Sequence, residues 1–263
     1  MSSALSAPAI ALTIAGSDSG GGAGLQADLR TWENLGVFGS SVVTCVTAQN
    51  TREVRGIEPV SGAMVRAQLE AVFDDLPIAA AKTGLLPTGE IVREVSAILR
   101  VRGPLPLVVD PVLRATSGDR LVGPDAADAI FAELLPLATV LTPNLDEASR
   151  LSGRAVRTLG DMRAAATSLV ERGASAVLVK GGHLGGAAVD LLLDEAGFAE
   201  FAAERLEIGP CRGTGCTLAA AIAAGLARGA PLREAIGAAK RFVHAGLASS
   251  RAIGGGARVL GRG

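Results

Sequence analysis

Short apolar runs and helix-spaced apolar positions alternate along most of this chain. Residues 9–16 (AIALTIAG) are almost continuously apolar, which suits a strand buried on both faces. Residues 24–36 repeat apolar positions at helical spacing, and 40–48 (SSVVTCVTA) are β-branched and strand-like. The alternation continues with a helix over 63–75, a strand over 78–84, a helix over 89–103 and a strand over 106–110. It then predicts a helix over 124–136, a strand over 138–143, helices over 144–153 and 159–172, and a strand over 176–182. A hairpin is predicted around 188–206, and two alanine-rich helices, 216–228 and 231–250, follow. Buried strands between helices predict an α/β protein with a mostly parallel central sheet and helices on both faces. No repeat or linker interrupts the pattern, so residues 1–263 are expected to form one domain. The closing GGGARVLGRG reads as a mobile tail.

The polar residues fall in a pattern on that map. Asp18, Gln49, Lys82, Asp110, Asn144, Lys180 and the loop 213–216 each follow a strand-like run. Ligands of such sheets collect at the C-terminal ends of the strands, so one edge is expected to gather the chemistry.

Composition narrows the function. The formal net charge is −1, which is not the basic footprint of a nucleic-acid binder. Aromatic residues make up 3% with no tyrosine, which argues against base-stacking platforms. The three cysteines, Cys45, Cys211 and Cys216, form neither a disulfide framework nor a metal-ligand spacing, so a reduced, cytoplasmic setting is expected. No run approaches the roughly 18 apolar residues of a membrane helix. The apolar start lacks a charged leader and reads as a strand, not a signal peptide.

Two glycine loops carry the candidate chemistry. GSDSGGGAG (16–24) matches neither the dinucleotide fingerprint nor the P-loop. It is either a flexible turn or a loop that lets a ligand approach the backbone; Asp28, one turn into the next helix, would then point at that ligand or be a solvated helix charge. RGTGCT (212–217) is more specific. Gly213, Thr214, Gly215 and Cys216 can aim N–H groups at one oxyanion where a helix begins. The same helix end favours a Cys216 thiolate, whereas Cys45, in mid-strand, reads as a small buried hydrophobe. Asn144 and Glu147 have the spacing of a helix capping box.

The motifs ALTIAGSDSGGGAGLQADL, TAQNT, AKTGLL, VVDPVLRATSGDRL, LTPNLDEA, VLVKGGH and GTGCTLAAAI occur in this order across residues 11–222. Together they resemble the bacterial hydroxymethylpyrimidine/phosphomethylpyrimidine kinases of thiamine biosynthesis, members of the ribokinase-like superfamily. The resemblance implies a ribokinase-like fold. It also implies ATP-dependent phosphorylation of 4-amino-5-hydroxymethyl-2-methylpyrimidine, then of its monophosphate. It places the pyrimidine against the first glycine loop, with Gly16, Asp28 and Gln49 lining it and Leu85 and Val112 as apolar walls. A glutamine amide suits an aminopyrimidine, because it donates and accepts at once. By the same resemblance ATP lies between the strand ending at Lys180 and the GTGC loop, near Asn144, Gly213, Thr214 and Gly215. Lys180 is the cation on the phosphates, Asp110 and Glu147 hold Mg²⁺ partly through water, and relatives are commonly homodimers. Cys216 stands where most superfamily members carry an aspartate base. A thiolate base would serve the first transfer alone, so Cys216→Ala is expected to impair the first step more than the second.

Departures and rivals are also readable. Arg212 replaces a histidine frequent before GTGC; it would bind a phosphate or face solvent. Leu85 replaces methionine, and Thr47 replaces valine. His183 reads as a loop residue near the nucleotide and His244 as structural. Pyridoxal kinase is the nearest rival, disfavoured by Gln49, since pyridoxal has no adjacent amine. A non-catalytic sensor on the same fold is disfavoured by the intact Asp110, Glu147, Lys180 and GTGC. A nicotinamide oxidoreductase is disfavoured by the missing glycine fingerprint.

Overall fold

The computed structural model describes residues 7–113, 121–182, 184 and 187–261. The first half runs β1 (Ile10–Asp18), α1 (Gly24–Asn34), β2 (Phe38–Gln49), β3 (Val54–Pro59), α2 (Gly62–Asp75), β4 (Ile78–Thr83), α3 (Gly89–Arg102) and β5 (Leu107–Val109). The middle adds α4 (Pro124–Ala129), β6 (Val140–Leu141), α5 (Leu145–Ser152), α6 (Leu159–Glu171) and β7 (Val177–Val179). The last part contains β8 (Ala188–Asp194), β9 (Gly197–Ala203), β10 (Cys211–Arg212), α7 (Thr214–Ala227), α8 (Leu232–Ala248) and β11 (Arg258–Val259).

Among the described residues, nine strands form one sheet in the order β3-β2-β1-β4-β5-β6-β7-β8-β9. The span from β2 to β7 is parallel, as the unbroken apolar runs predict. β3 at one edge and β8–β9 at the other are antiparallel. Side chains of β1 alternate between two cores, as strand geometry requires. Leu12 and Ile14 join Val65, Leu69, Ile91, Val95 and Met162 from the α2, α3 and α6 side. Ala11 joins Val108, Val140 and Leu178 under Trp32 and helices α7 and α8. Helix α7 is buried continuously from Thr217 to Gly225. A helix covered all round must be apolar, and alanine lets its backbone lie close to its neighbours. Trp32 fixes α1 against it by donating its indole N–H to the Ala220 carbonyl at 2.7 Å.

The structure departs from the sequence reading at three places. β3 (VRGIEP) is a half-exposed edge strand whose order comes from pairing with β2, without an apolar run to announce it. The helix expected over 124–136 stops as α4, continues as one wide turn over Ile130–Leu134, and tightens over Leu135–Leu137 around Pro136. The glycine-rich end, expected to be mobile, is laid down on the domain through Gly261. β11 pairs in parallel with β10, and the Gly261 N–H donates to the Gly246 carbonyl at 3.0 Å. Trp32 is fully buried. Trp32→Ala is therefore expected to destabilise the protein by about 3–5 kcal/mol in urea unfolding followed by circular dichroism.

Candidate active site

A cleft of about 1150 Å³ opens where the parallel strands end. Gly16 continues β1 into it, Gln49 ends β2, and Leu85 and Val112 follow β4 and β5. Asp110, Asn144, Glu147 and Lys180 line it from the ends of β5, β6 and β7, and the Gly213–Cys216 turn also lines it. That turn is packed between the two groups. Gly213 has φ +77°, and a Cβ there would lie 2.1 Å from the Gly22 carbonyl oxygen. Only glycine permits both the left-handed backbone and that approach. On the other side, a Cβ on Gly215 would lie 3.2 Å from Lys180 Nζ. The N–H of Thr217 closes the first helical bond of α7, to the Gly213 carbonyl at 2.8 Å. The N–H groups of Thr214, Gly215 and Cys216 have no backbone acceptor among the described residues.

The first glycine loop is organised differently. Asp18 accepts hydrogen bonds from the N–H groups of Gly20 (2.8 Å), Gly22 (3.0 Å) and Ala23 (2.9 Å). The loop's anion-binding groups are thus occupied by the chain's own carboxylate, a role the sequence reading had not assigned to Asp18.

Asp28 corrects that reading. It does not line the cleft. It is fully buried beneath it, where Oδ2 accepts from Thr13 Oγ1 at 2.7 Å and Lys82 Nζ at 2.8 Å. Lys82 is equally buried. Burial alone would lower the lysine pKa, but Asp28, Cys216 and Asp110 outweigh it and hold the ammonium above its ordinary range. Lys82 lines the cleft. Its signal in the sequence is a lone cation in an alanine run, AAAKTG.

Cys216 is also corrected. Burial pushes its thiol up to about 11; Asp28 and Asp110 add to the rise, while Lys82 and the Gly24 N–H oppose it. These influences hold the thiol above its ordinary range, against the thiolate that the helix end alone would favour.

The second carboxylate group is compact. Lys180 Nζ donates to Asp110 Oδ1 at 2.7 Å and lies 4.0 Å from Glu147 Oε2. Burial opposes the Lys180 charge, but Asp110 and Glu147 raise its pKa. Burial lifts Glu147 to about 7, with Asp110 raising it further and Lys180 opposing. Asn144 and Glu147 form the capping box, at 2.9 Å and 2.8 Å, and still line the cleft. The capping reading of this pair therefore holds, and the same two residues face the cleft. Arg212 is 5% exposed, so it does not face solvent; it donates to the Asn50 carbonyl. His244 pairs through Nε2 with the Glu204 carbonyl at 3.1 Å. His183 lies outside the described residues.

Two outcomes test these assignments. Lys82→Met strands a buried carboxylate and is expected to destabilise the fold by about 3–5 kcal/mol in urea unfolding, whereas the double variant Asp28→Leu/Lys82→Met recovers most of that loss. Cys216 alkylation by iodoacetamide, followed by peptide mass spectrometry, is expected to rise about tenfold per pH unit from pH 7 to 10 without a plateau. A thiolate activated by the helix end would level off near pH 8 instead.

Residues 18–260 match the family described as phosphomethylpyrimidine kinase. The chain is 52% identical to the hydroxymethylpyrimidine/phosphomethylpyrimidine kinase of Rhizobium meliloti, over 92% of this chain and 91% of that protein. Its fold superposes on the ADP complex of Bacillus subtilis pyridoxal kinase with a TM-score of 0.91 and 37% identity, covering 97% of this chain and 98% of the other. The phosphomethylpyrimidine kinase of Clostridium difficile gives a TM-score of 0.80 and 40% identity, covering 89% and 97%. This chain belongs to the phosphomethylpyrimidine kinase family.

Proposed function

We propose that the protein moves the γ-phosphoryl group of ATP onto the hydroxymethyl oxygen of 4-amino-5-hydroxymethyl-2-methylpyrimidine, and then phosphorylates the resulting monophosphate for thiamine biosynthesis. One observation carries the choice of substrate. Gln49 lines the cleft with its side-chain amide unpartnered among the described residues, while Leu85 and Val112 provide apolar wall. That amide can satisfy an aminopyrimidine edge, accepting from the amine and donating to the ring nitrogen.

Phosphoryl transfer depends on alignment and charge neutralisation more than on covalent help. Lys180 supplies a fixed cation, and the free N–H groups of Thr214, Gly215 and Cys216 supply donors at the start of α7. The hydroxymethyl oxygen bonds to the γ-phosphorus as the bond to ADP breaks, and the hydroxyl proton passes to an oxygen of the transferred phosphoryl group and from there to solvent. Magnesium, when bound, would neutralise phosphate charge. Asp110 and Glu147 are the residues to hold it. Among the described residues no cluster of three or more metal-binding side chains occurs. Two carboxylates suit magnesium, which keeps several waters and shares phosphate oxygens. Cys216 lines the cleft at the start of α7, where burial works against its thiolate, so this reading gives it a positioning role. As part of this reading the enzyme is a cytoplasmic homodimer. Among the described residues no helix is long and apolar enough to cross a membrane.

A second reading, pyridoxal phosphorylation, draws on the Bacillus subtilis likeness, and one experiment separates the two. Incubation with magnesium and ATP plus either substrate, read by mass spectrometry, is expected to give pyrimidine monophosphate followed by diphosphate. Phosphorylation of pyridoxal alone would replace this reading. Cys216→Ala is expected to slow both pyrimidine steps to a similar degree. A loss confined to the first step would restore the proton-accepting role.

A further inference from the structure

Three backbone segments meet at one rim of the cleft: the first glycine loop, the turn after β2, and the strand leading into α7. Ser19 Oγ bonds both backbone groups of Gln49, accepting from its N–H at 2.8 Å and donating to its carbonyl at 2.9 Å. Asn50, the next residue, offers its carbonyl to the Arg212 guanidinium. Arg212 immediately precedes Gly213. One buried side chain therefore joins the backbone that carries the ring-reading amide to the backbone that carries the phosphate turn.

The C-terminal residues lie over this junction. Arg258 and Val259 pair with Cys211 and Arg212, and the Arg258 N–H donates to the Pro210 carbonyl at 2.9 Å. Val259 covers the first glycine loop: a Cβ on Gly22 would lie 3.1 Å from Val259 Cγ1. The Ala257 N–H donates to the Thr51 carbonyl at 2.9 Å, and the Gly256 N–H to Thr51 Oγ1 at 3.2 Å. Any Cβ on Gly256 would lie 2.1 Å from the Thr51 carbonyl oxygen, so this approach requires glycine. Arg258 Nε anchors the segment to Ser250 Oγ at 2.9 Å.

We propose that Arg212 is a positioning residue and that residues 256–259 form a strap that holds it, together setting the separation between Gln49 and the Gly213–Cys216 turn. The backbone that carries Gln49 and the backbone that carries the phosphate turn are then held in one fixed relation throughout both phosphorylations. Arg212 acts here as a tie between backbones and not as a ligand of the substrate phosphate. The inference rests on the pyrimidine-kinase reading. Turnover by the wild-type protein tests that reading, and if pyridoxal proved the substrate the same variants would test the tie on pyridoxal.

The experiment measures KM and kcat for hydroxymethylpyrimidine, its monophosphate and ATP in the full-length chain. The variants are Arg212→Ala, Arg212→Lys, Gly256→Val and the double Arg212→Ala/Gly256→Val. Arg212→Ala and Gly256→Val are each expected to raise KM for both pyrimidines roughly tenfold to a hundredfold, because small misplacements of a bound reactant are costly. KM for ATP is expected to stay within about twofold, and the double variant to be little worse than either single, as coupled sites are not additive. Arg212→Lys keeps the single donor that the Asn50 carbonyl uses and is expected to recover most of the affinity. ADP titration identifies a variant that has failed to fold; if Arg212→Ala is one, recovery or loss of pyrimidine KM in Arg212→Lys decides the matter. A loss confined to the monophosphate would make Arg212 a phosphate ligand and overturn the proposal. Parallel rises in the pyrimidine and ATP KM, or full additivity in the double variant, would also overturn it.

Discussion

The buried pair of Asp28 and Lys82 is the interaction on which this site is built. It joins α1 to β4 with no exposure to solvent, and Thr13 of β1 completes it. Removing such charges from water costs several kcal/mol per ion, offset only by close pairing and further hydrogen bonds. Well-packed apolar residues would be as stable in the same place. The consequence of the pair lies in what it does to the cleft. It puts a fixed ammonium at the cleft floor, and its carboxylate raises the Cys216 pKa. One contact therefore fixes the base of α1 and also reaches the start of α7, where its two charges pull the Cys216 pKa in opposite directions.

This contact also shows where sequence reading ends. The central strands were legible because a parallel strand covered on both faces is almost continuously apolar, and residues 11–16, with Thr13 the exception, and 107–109 follow that rule. The gathering of Gln49, Asp110, Lys180 and the GTGC turn followed from topology alone. Asp28 was placed one turn into the right helix, but helical spacing says nothing about depth, and its partner lies 54 residues away. Cys216 was judged from the helix end, which is a local term. Burial, and two carboxylates from distant parts of the chain, push its pKa up against Lys82, and none of these is visible in the local sequence.

The tail was misjudged for a related reason. Three consecutive glycines, Gly254 to Gly256, suggest freedom when read in isolation. Each instead faces Thr51 or Arg52, and Gly256 lies so close to the Thr51 backbone that no side chain could share the space. The two-residue strands β10 and β11 and the edge strand β3 carry no apolar periodicity, because their order comes from partners and not from burial. Glycine marks either flexibility or close packing, and only tertiary contacts separate the two.

The two glycine loops of the cleft divide along the same line. In the first, Asp18 occupies the backbone N–H groups, so the loop is a rigid, internally neutralised wall. In the second, the N–H groups of Thr214, Gly215 and Cys216 have no backbone acceptor among the described residues, and Lys180 lies beside them. A site with two open nests would hold anions in two places and align neither. With one nest filled from within, the remaining donors would, in the proposed reaction, define a single phosphate position and Gln49 the ring. Transfer then depends on the spacing between those two points. The loops also touch at Gly22 and Gly213, a backbone contact that acts alongside the Arg212 tie to limit that spacing.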